Sequence, residues 1–293
     1  MKSPCVRYTP FCDSCPDLPP GQALDYSINA PIGTHDTISQ PLCKYTTPYA
    51  KPAVHWTAGQ PVTVEFHPHA AVHGGGHCQF SLSYDGGKTF VVIHDELRYC
   101  FTGGPTSSNT ATTLTYTFNL PASLPSSDKA VFSWSFFNAI GNREFYQNCA
   151  DVSISGSSPS SSYTGMQMLV ANYGPGSPYI PEFNGNYETG IDLLNARPMI
   201  TVTGSLSYAN ASVPAAPYGG AAPAPTPTSY HEAVSSSAPV FSSVPVPAGG
   251  YMPSAAPVPH YVSAGPVRYQ ARIAPANPAA PAYSATGRRT RCK

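Results

Sequence analysis

Two stretches carry the side chains best equipped for chemistry. The first is AVHGGGHCQF, residues 71–80, where His73 precedes three glycines and His77 and Cys78 come after them. Imidazole is the commonest metal ligand among side chains and titrates nearest neutrality. Glycine triplets weaken strands and helices, because glycine gives up more freedom on folding than any other residue. They stand where backbone turns sharply or where something approaches closely, so the glycines are expected to leave an open, flat surface beside the His73 ring. The second stretch is FFNAIGNREFYQNCA, residues 136–150. If residues 143–149 are extended, Glu144, Tyr146 and Asn148 share one face and Phe145, Gln147 and Cys149 the other. A carboxylate two residues from a phenol on one face suits a metal site, with the phenol axial and the carboxylate behind it. The same pattern also fits a rim ion pair beside a half-buried tyrosine.

Other histidines crowd the first stretch. His67 and His69 share a face if extended, so a histidine-rich metal site using His67, His69 and His73 is an alternative. Histidines of this kind also commonly decorate edge strands. The chain has no GxSxG, HExxH, phosphate-cradling glycine loop or dinucleotide fingerprint. Asp95 and Glu96 point to opposite faces of an extended chain, a poor arrangement for two-carboxylate glycoside hydrolysis. Cys12 and Cys15 form one CxxC without a second, which argues against a structural zinc site.

The elements that would hold these residues lie in the first two thirds of the chain. Residues 1–204 contain both tryptophans, most of the phenylalanines and seven of the eight cysteines. From 205 to 293 the sequence is rich in Ala, Pro, Ser, Gly and Val, a composition that builds no patterned core and reads as a disordered, semi-extended tail. Residues 1–204 carry nine basic and fourteen acidic side chains, a formal −5, and the tail reverses this with six basic residues against Glu232. The acidic folded part argues against nucleic acid as a partner, whereas the basic tip GRRTRCK suits an anionic surface. Cysteines spread over separate segments point to disulfides and an oxidising compartment. Cys78 with Cys100, and then Cys43 with Cys149, are the expected bridges. An N-glycosylation sequon at Asn210 is consistent with export. No stretch approaches the length of a membrane span.

Seven segments read as strands. QPVTVEF (60–66) and TLTYTFNL (113–120) alternate apolar with polar residues. CQFSLSY (78–84) and KTFVVIH (88–94) flank the hairpin signal Asp85-Gly86-Gly87. AVFSWSFFN (130–138) is bulky enough to be central, and EFYQNCADVSI (144–154) and GMQMLVANY (165–173) complete the set. No sustained helical period appears before the tail. The fold class is all-β: an antiparallel, immunoglobulin/fibronectin-like β-sandwich with long loops over 1–204, then the tail.

These residues together resemble the fungal lytic polysaccharide monooxygenases of auxiliary activity family eleven. The likeness runs from LDYSINAPI (24–32) and PLCKY (41–45) through TAGQPVTVEF, HGGGHCQFSLSYDGGKTFVVI, VFSWSFFNAIGNREFYQNCADVSI and MLVANY, most of residues 20–173. His77 stands where the family usually has a small polar residue. The resemblance implies a copper enzyme that oxidises crystalline chitin with an external electron donor and oxygen or hydrogen peroxide, usually at C1. It implies His73 as one copper ligand, Tyr146 as the axial phenol and Glu144 as the carboxylate that hydrogen-bonds the oxygen species. The family's other ligand is an N-terminal histidine, binding through its amine and its ring. Three nitrogens in a plane suit tetragonal Cu(II) and tolerate Cu(I).

The sequence begins with Met1, and MKSP resembles the residues directly after the family's first histidine. The expectation is that the mature protein carries a histidine directly before Met1, behind an export signal, because residues 1–15 lack the apolar core of a signal peptide. The expected location is extracellular or the cell wall. The rival reading is a non-catalytic secreted wall or chitin-binding protein, suggested by the missing histidine, by an N-terminal segment that departs from the usual family start, and by the tail.

Overall fold

The computed structural model describes residues 1–12, 16–68, 70–156 and 162–204. His69, Cys15, Cys292, the sequon at Asn210 and the whole expected tail lie outside them. The described residues form strands β1 (Gly33–Thr34), β2 (Thr37–Ile38), β3 (Val54–Thr57), β4 (Pro61–Glu65), β5 (Gly76–Ser83), β6 (Val91–Glu96), β7 (Thr115–Asn119), β8 (Ser127–Asn138), β9 (Glu144–Ser155) and β10 (Ser162–Met166). A one-turn helix α1 (Ile191–Asn195) and strand β11 (Met199–Thr203) complete the order. The all-β, mostly antiparallel class is as expected. No helix among the described residues is long and apolar enough to cross a membrane.

The main sheet runs β2-β1-β9-β8-β5-β6, with β3 joined in parallel to the far half of β9. The bulky strand, β8, is central as expected, between β9 and β5. Its even residues Phe132, Trp134 and Phe136 pack towards the β4–β7 ladder, where Val62, Val64, Tyr116 and Phe118 complete one core. This is the sandwich. Val131 and Phe137 point the other way, into a second core with Phe145, Phe90 and Ile180. The sheet is therefore covered on both faces, and every residue of β5 is buried.

The covered second face is polar where the sequence alternates serine with large residues. Gln79, Ser81, Ser133, Ser135 and Gln147 are all buried there. Burying such groups is tolerated only with partners. Gln147 donates to Ser133 at 2.8 Å and Gln79 to Ser135 at 3.1 Å, while Leu169 N–H and Arg197 both donate to Gln79 Oε1. Those last bonds explain why 165–173, expected as a strand, stays in a ladder only to Met166. Beyond it the backbone turns to single partners: Met168 N–H to Phe90 C=O and Leu169 N–H to the Gln79 side chain.

The outer edge of β9 is closed in sections. β1 pairs at Glu144 and Phe145, and β3 from Val152 onward. Between them the N-terminal segment supplies Arg7 N–H to Cys149 C=O at 2.8 Å, and Ala53 N–H reaches Asp151 C=O at 2.7 Å. An open strand edge presents unsatisfied backbone groups, so the chain start completes the sheet.

Both expected disulfides are present, Cys43–Cys149 and Cys78–Cys100, and Cys5–Cys12 closes the N-terminal segment. The first spans 106 residues and the second 22. Loop-closure entropy then sets an order: replacing both cysteines of Cys43–Cys149 by alanine is expected to cost about 4–5 kcal/mol, against about 3 kcal/mol for Cys78–Cys100. Denaturant unfolding of the two double variants measures it, and the reverse order would contradict it.

Candidate functional site

His73 sits in the loop that enters β5, with a left-handed backbone (φ 48°) uncommon for a residue with a side chain. Two bonds hold it there. Its N–H donates to Asn109 Oδ1 at 2.9 Å, and its C=O accepts from Ile140 N–H at 2.9 Å. The second bond ties His73 to the turn between β8 and β9, so both chemistry-bearing stretches of the sequence meet here.

Strand β9 presents Glu144 and Tyr146 on one face, as the alternation predicts. The Tyr146 hydroxyl donates to Glu144 Oε2 at 2.6 Å, and the Tyr146 and His73 rings lie 6.2 Å apart. Burial, reinforced by the bond to Glu144, raises the Tyr146 pKa well above the ordinary phenol value, so the hydroxyl stays protonated. Phe136, directly opposite on β8, backs the Tyr146 ring at 5.9 Å, and Trp134 stacks on Phe136.

His73 and Tyr146 line a cavity of about 290 Å³ whose floor includes Trp134 and Phe136. Met1 lines it too. Lys2 and Ser3 N–H both donate to Glu65 C=O, and Glu65 N–H returns to Ser3 C=O, so the first residues run as a short extra strand on the end of β4. The α-amino group is fully buried, and loss of solvation lowers its pKa from 8.0 to about 5. That position favours a neutral amine or a peptide N–H over an ammonium. The place of Met1 near His73 is as the family resemblance implied, whereas the Asn109 contact was not legible in the sequence, because it depends on long-range pairing.

The glycine triplet corrects the reading of an open surface. Gly74, Gly75 and Gly76 are buried. A Cβ on Gly75 would lie 2.5 Å from Thr102 Oγ1 and 2.9 Å from Cys100 C=O, and one on Gly76 would lie 2.0 Å from Phe137 C=O. The triplet lets the 100–102 loop and β8 press against its backbone from inside. The exposed glycine beside His73 is Gly141, where an added Cβ would meet only His73 Nδ1, at 3.7 Å. Gly141 N–H donates to Glu182 Oε1 at 3.0 Å, a contact no motif announced.

The remaining histidines are placed elsewhere. His77 is wholly buried: it stacks on Phe183, accepts from Arg98 N–H at Nδ1, and donates from Nε2 to Thr189 C=O. Desolvation lowers its pKa, so it is a neutral structural residue. His67 lines the cavity with His73, and its Nε2 bonds Phe11 C=O at 2.6 Å. Among the described residues no group of three or more His, Cys, Asp or Glu could hold a metal ion, so nothing supports the His67/His73 cluster as a closed site. Asp95 pairs with Arg197 and Glu96 with His94, in keeping with their opposite faces.

His73 and Tyr146, both half-buried, thus share one cavity with Met1 on a β-sandwich. Comparison with known proteins shows the family. The AA11 family lytic polysaccharide monooxygenase A of Aspergillus fumigatus (strain CBS 144.89 / FGSC A1163 / CEA10) is 40% identical over 164 residues, covering 54% of this chain and 68% of that protein. An AA11 family lytic polysaccharide monooxygenase of Aspergillus oryzae (strain ATCC 42149 / RIB 40) is 38% identical over 100 residues, 30% of this chain and 23% of that one. No family model matches the chain. A crystal structure of a cellulose-active polysaccharide monooxygenase from M. thermophila overlaps 58% of this chain and 83% of its own, with 15% identity and a TM-score of 0.35. The chain belongs to the AA11 family of lytic polysaccharide monooxygenases.

Two outcomes are expected from the buried groups. Gly75→Ala adds a Cβ into a contact of 2.5 Å at a φ of +81°, so it is expected to lower the unfolding free energy by about 2–3 kcal/mol. A wild-type unfolding midpoint would contradict the inward packing. The second concerns protein whose chain starts at Met1. Its amine binds a proton more weakly folded (about 5) than unfolded (8.0), so the unfolded state holds more protons between these values and stability rises with pH across that window. N-terminal acetylation is expected to remove this rise in a comparison of unfolding curves at pH 5 and pH 8. An unchanged pH dependence would place the amine in solvent.

Proposed function

We propose that this chain is a copper-dependent lytic polysaccharide monooxygenase that cleaves chitin oxidatively outside the cell. The observation that carries the reading is the meeting of His73, Tyr146 and the start of the chain in one cavity. The donor set fits copper on that basis: His73 supplies one imidazole, Tyr146 a neutral phenol, and a histidine attached to Met1 would enter the same cavity with its ring and amine. Nitrogen donors of this kind suit copper in both oxidation states. Copper, when bound, supplies one-electron exchange with an external donor and the activation of oxygen or hydrogen peroxide.

The chain's own residues set the surroundings. Asn109 and the Ile140 backbone fix the His73 backbone, and Phe136 fixes the Tyr146 ring. Glu144 Oε2 holds the phenolic proton of Tyr146, so the phenol stays neutral and the carboxylate is oriented next to it. A half-buried carboxylate in this place is suited to taking up or releasing a proton as the reaction consumes them. Trp134 and Phe136, both buried, add apolar surface to the cavity lining. Residues 205–293 read as a spacer, and the relatives' names extend to the polysaccharide substrate class.

The test uses secreted protein with its native amino terminus, ascorbate, and crystalline chitin, with mass spectrometry of the released oligosaccharides. Oxidised chito-oligosaccharides are expected, and His73→Ala is expected to lower both their yield and copper affinity by about a hundredfold or more. Tight copper binding retained in His73→Ala would overturn the site. Chitin binding without any oxidised product would favour the non-catalytic wall protein instead.

A further inference from the structure

A buried imidazole behind the His73 loop joins two segments that the site's chemistry does not use. His77, near the start of β5, is wholly buried, with Phe137 of β8 in register beside it and the Phe183 ring stacked on it at 4.8 Å. Its Nδ1 lies 2.9 Å from Arg98 N–H, in the loop after β6, and its Nε2 lies 2.9 Å from Thr189 C=O, in the segment before α1. A backbone N–H only donates and a carbonyl only accepts. These partners therefore fix the neutral tautomer with its proton on Nε2, and both ring nitrogens are satisfied.

The two segments so joined are the ones that hold the backbone after His73. From the loop, Cys100 N–H donates to Gly76 C=O at 3.0 Å, and Thr102 lies against Gly75. From the segment, the Tyr187 hydroxyl donates to Gly74 C=O at 2.8 Å, and Phe183 N–H donates to Ala139 C=O at 2.9 Å. Ala139 N–H in turn donates to Gly75 C=O at 2.8 Å. The Tyr99 and Tyr187 rings, one from each side, meet at 4.9 Å. His77 thus closes a frame around the glycine triplet that His73 begins.

The charged groups facing His77 are Arg98 from the loop, Glu188 from the segment and Asp95 from β6, while β8 faces it with Phe137. Asp95 is paired with Arg197, and Arg98 with Glu188 at 2.6 Å on the surface. Arg98 holds the Glu188 carboxylate below its usual range, so this outer pair stays ionised in mild acid. The imidazole behaves otherwise. A proton on Nδ1 would turn one N–H against another and leave a charge in the core, at the expense of the Arg98 bond. Burial holds its pKa below the ordinary 6.5, so the opened form binds the proton more readily. The contribution of these bonds to stability is complete above pH 6.5 and is lost as the pH falls below it.

We propose that His77 is an acid-sensitive positioning residue: as a neutral imidazole it clasps loop 97–103 to segment 183–190 behind the His73 loop, and its protonation releases that clasp. The inference rests on the reading of His73 as the site's imidazole and adds the control of its loop by acid.

Amide hydrogen exchange of the full chain at pH 8 and pH 5, expressed as protection factors, tests it without copper or chitin. In wild type, protection at residues 74–76 and 98–102 is expected to fall about tenfold at pH 5, with the β8–β9 ladder little changed. His77→Asn and His77→Gln each keep one of the two hydrogen-bonding positions and do not titrate, so their protection in these segments is expected to be equal at both pH values. The three proteins share the same amino terminus, so the difference between them belongs to His77. Equal protection at both pH values in wild type overturns the clasp, whether or not the variants fold. A tenfold fall kept in either variant overturns His77 as its origin, and a uniform fall over the whole chain overturns a local release. Failure of the oxidase reading shows in a different readout, absent oxidised products from wild type, and leaves the exchange comparison intact.

Discussion

The site depends on how the first seven residues are held. Arg7 is buried against Asp151 on β9, with Nε and Nη2 both on the carboxylate and Nη1 on Tyr45 C=O. Tyr49 N–H takes the remaining capacity of Asp151 at 2.8 Å. Removing one partner of such a pair strands a buried charge, at a cost of about 3–5 kcal/mol. The pair does not stand alone, because Arg7 N–H also closes the β9 edge at Cys149. Four residues before Cys5, Met1 is carried along the end of β4 into the cavity. Residues 1–7 are therefore placed by sheet pairing at Glu65 and by a buried ion pair at Asp151.

The other half of the site is placed with equal firmness, by different means. His73 is pinned to Asn109 and to the β8–β9 turn, and that turn is pinned by Arg143 and Glu182. Tyr146 and Glu144 are two rungs on the long strand β9, whose register against β8 is fixed by Phe136 opposite Tyr146. The same strand β9 carries Asp151, Cys149 and Glu144. One strand thus holds the anchor of the chain start, a disulfide and the site's phenol–carboxylate pair.

Local pattern made part of this legible. Period-two alternation placed Glu144 and Tyr146 on one face, and the Asp85-Gly86-Gly87 signal placed the β5–β6 hairpin. Cysteine spacing around that hairpin suggested Cys78–Cys100. Long-range pairing was not legible: β1, β3 and β11 are short strands with partners far along the chain, β2 is two residues paired with the adjacent β1, and α1 is a single turn without a period. The serines of β5 and β8 carry the alternation of a solvent face, yet they are buried under residues beyond Met166. The glycines after His73 announced a close approach correctly, but its direction depends on the 100–102 loop and β8, which sequence spacing does not reveal. Glu182 comes from a stretch with no motif, so only its bond from Gly141 N–H draws attention to it.

The proposed copper oxidase calls for a second imidazole beside His73, and Met1 lines the cavity that His73 and Tyr146 share. The most direct measurement is the amino-terminal residue of the naturally secreted protein, by peptide mass spectrometry. The expected result is histidine joined directly to Met1, which would complete the donor set around His73 and Tyr146. A mature chain starting at Met1 or beyond would leave His73 without its partner and contradict the copper oxidase.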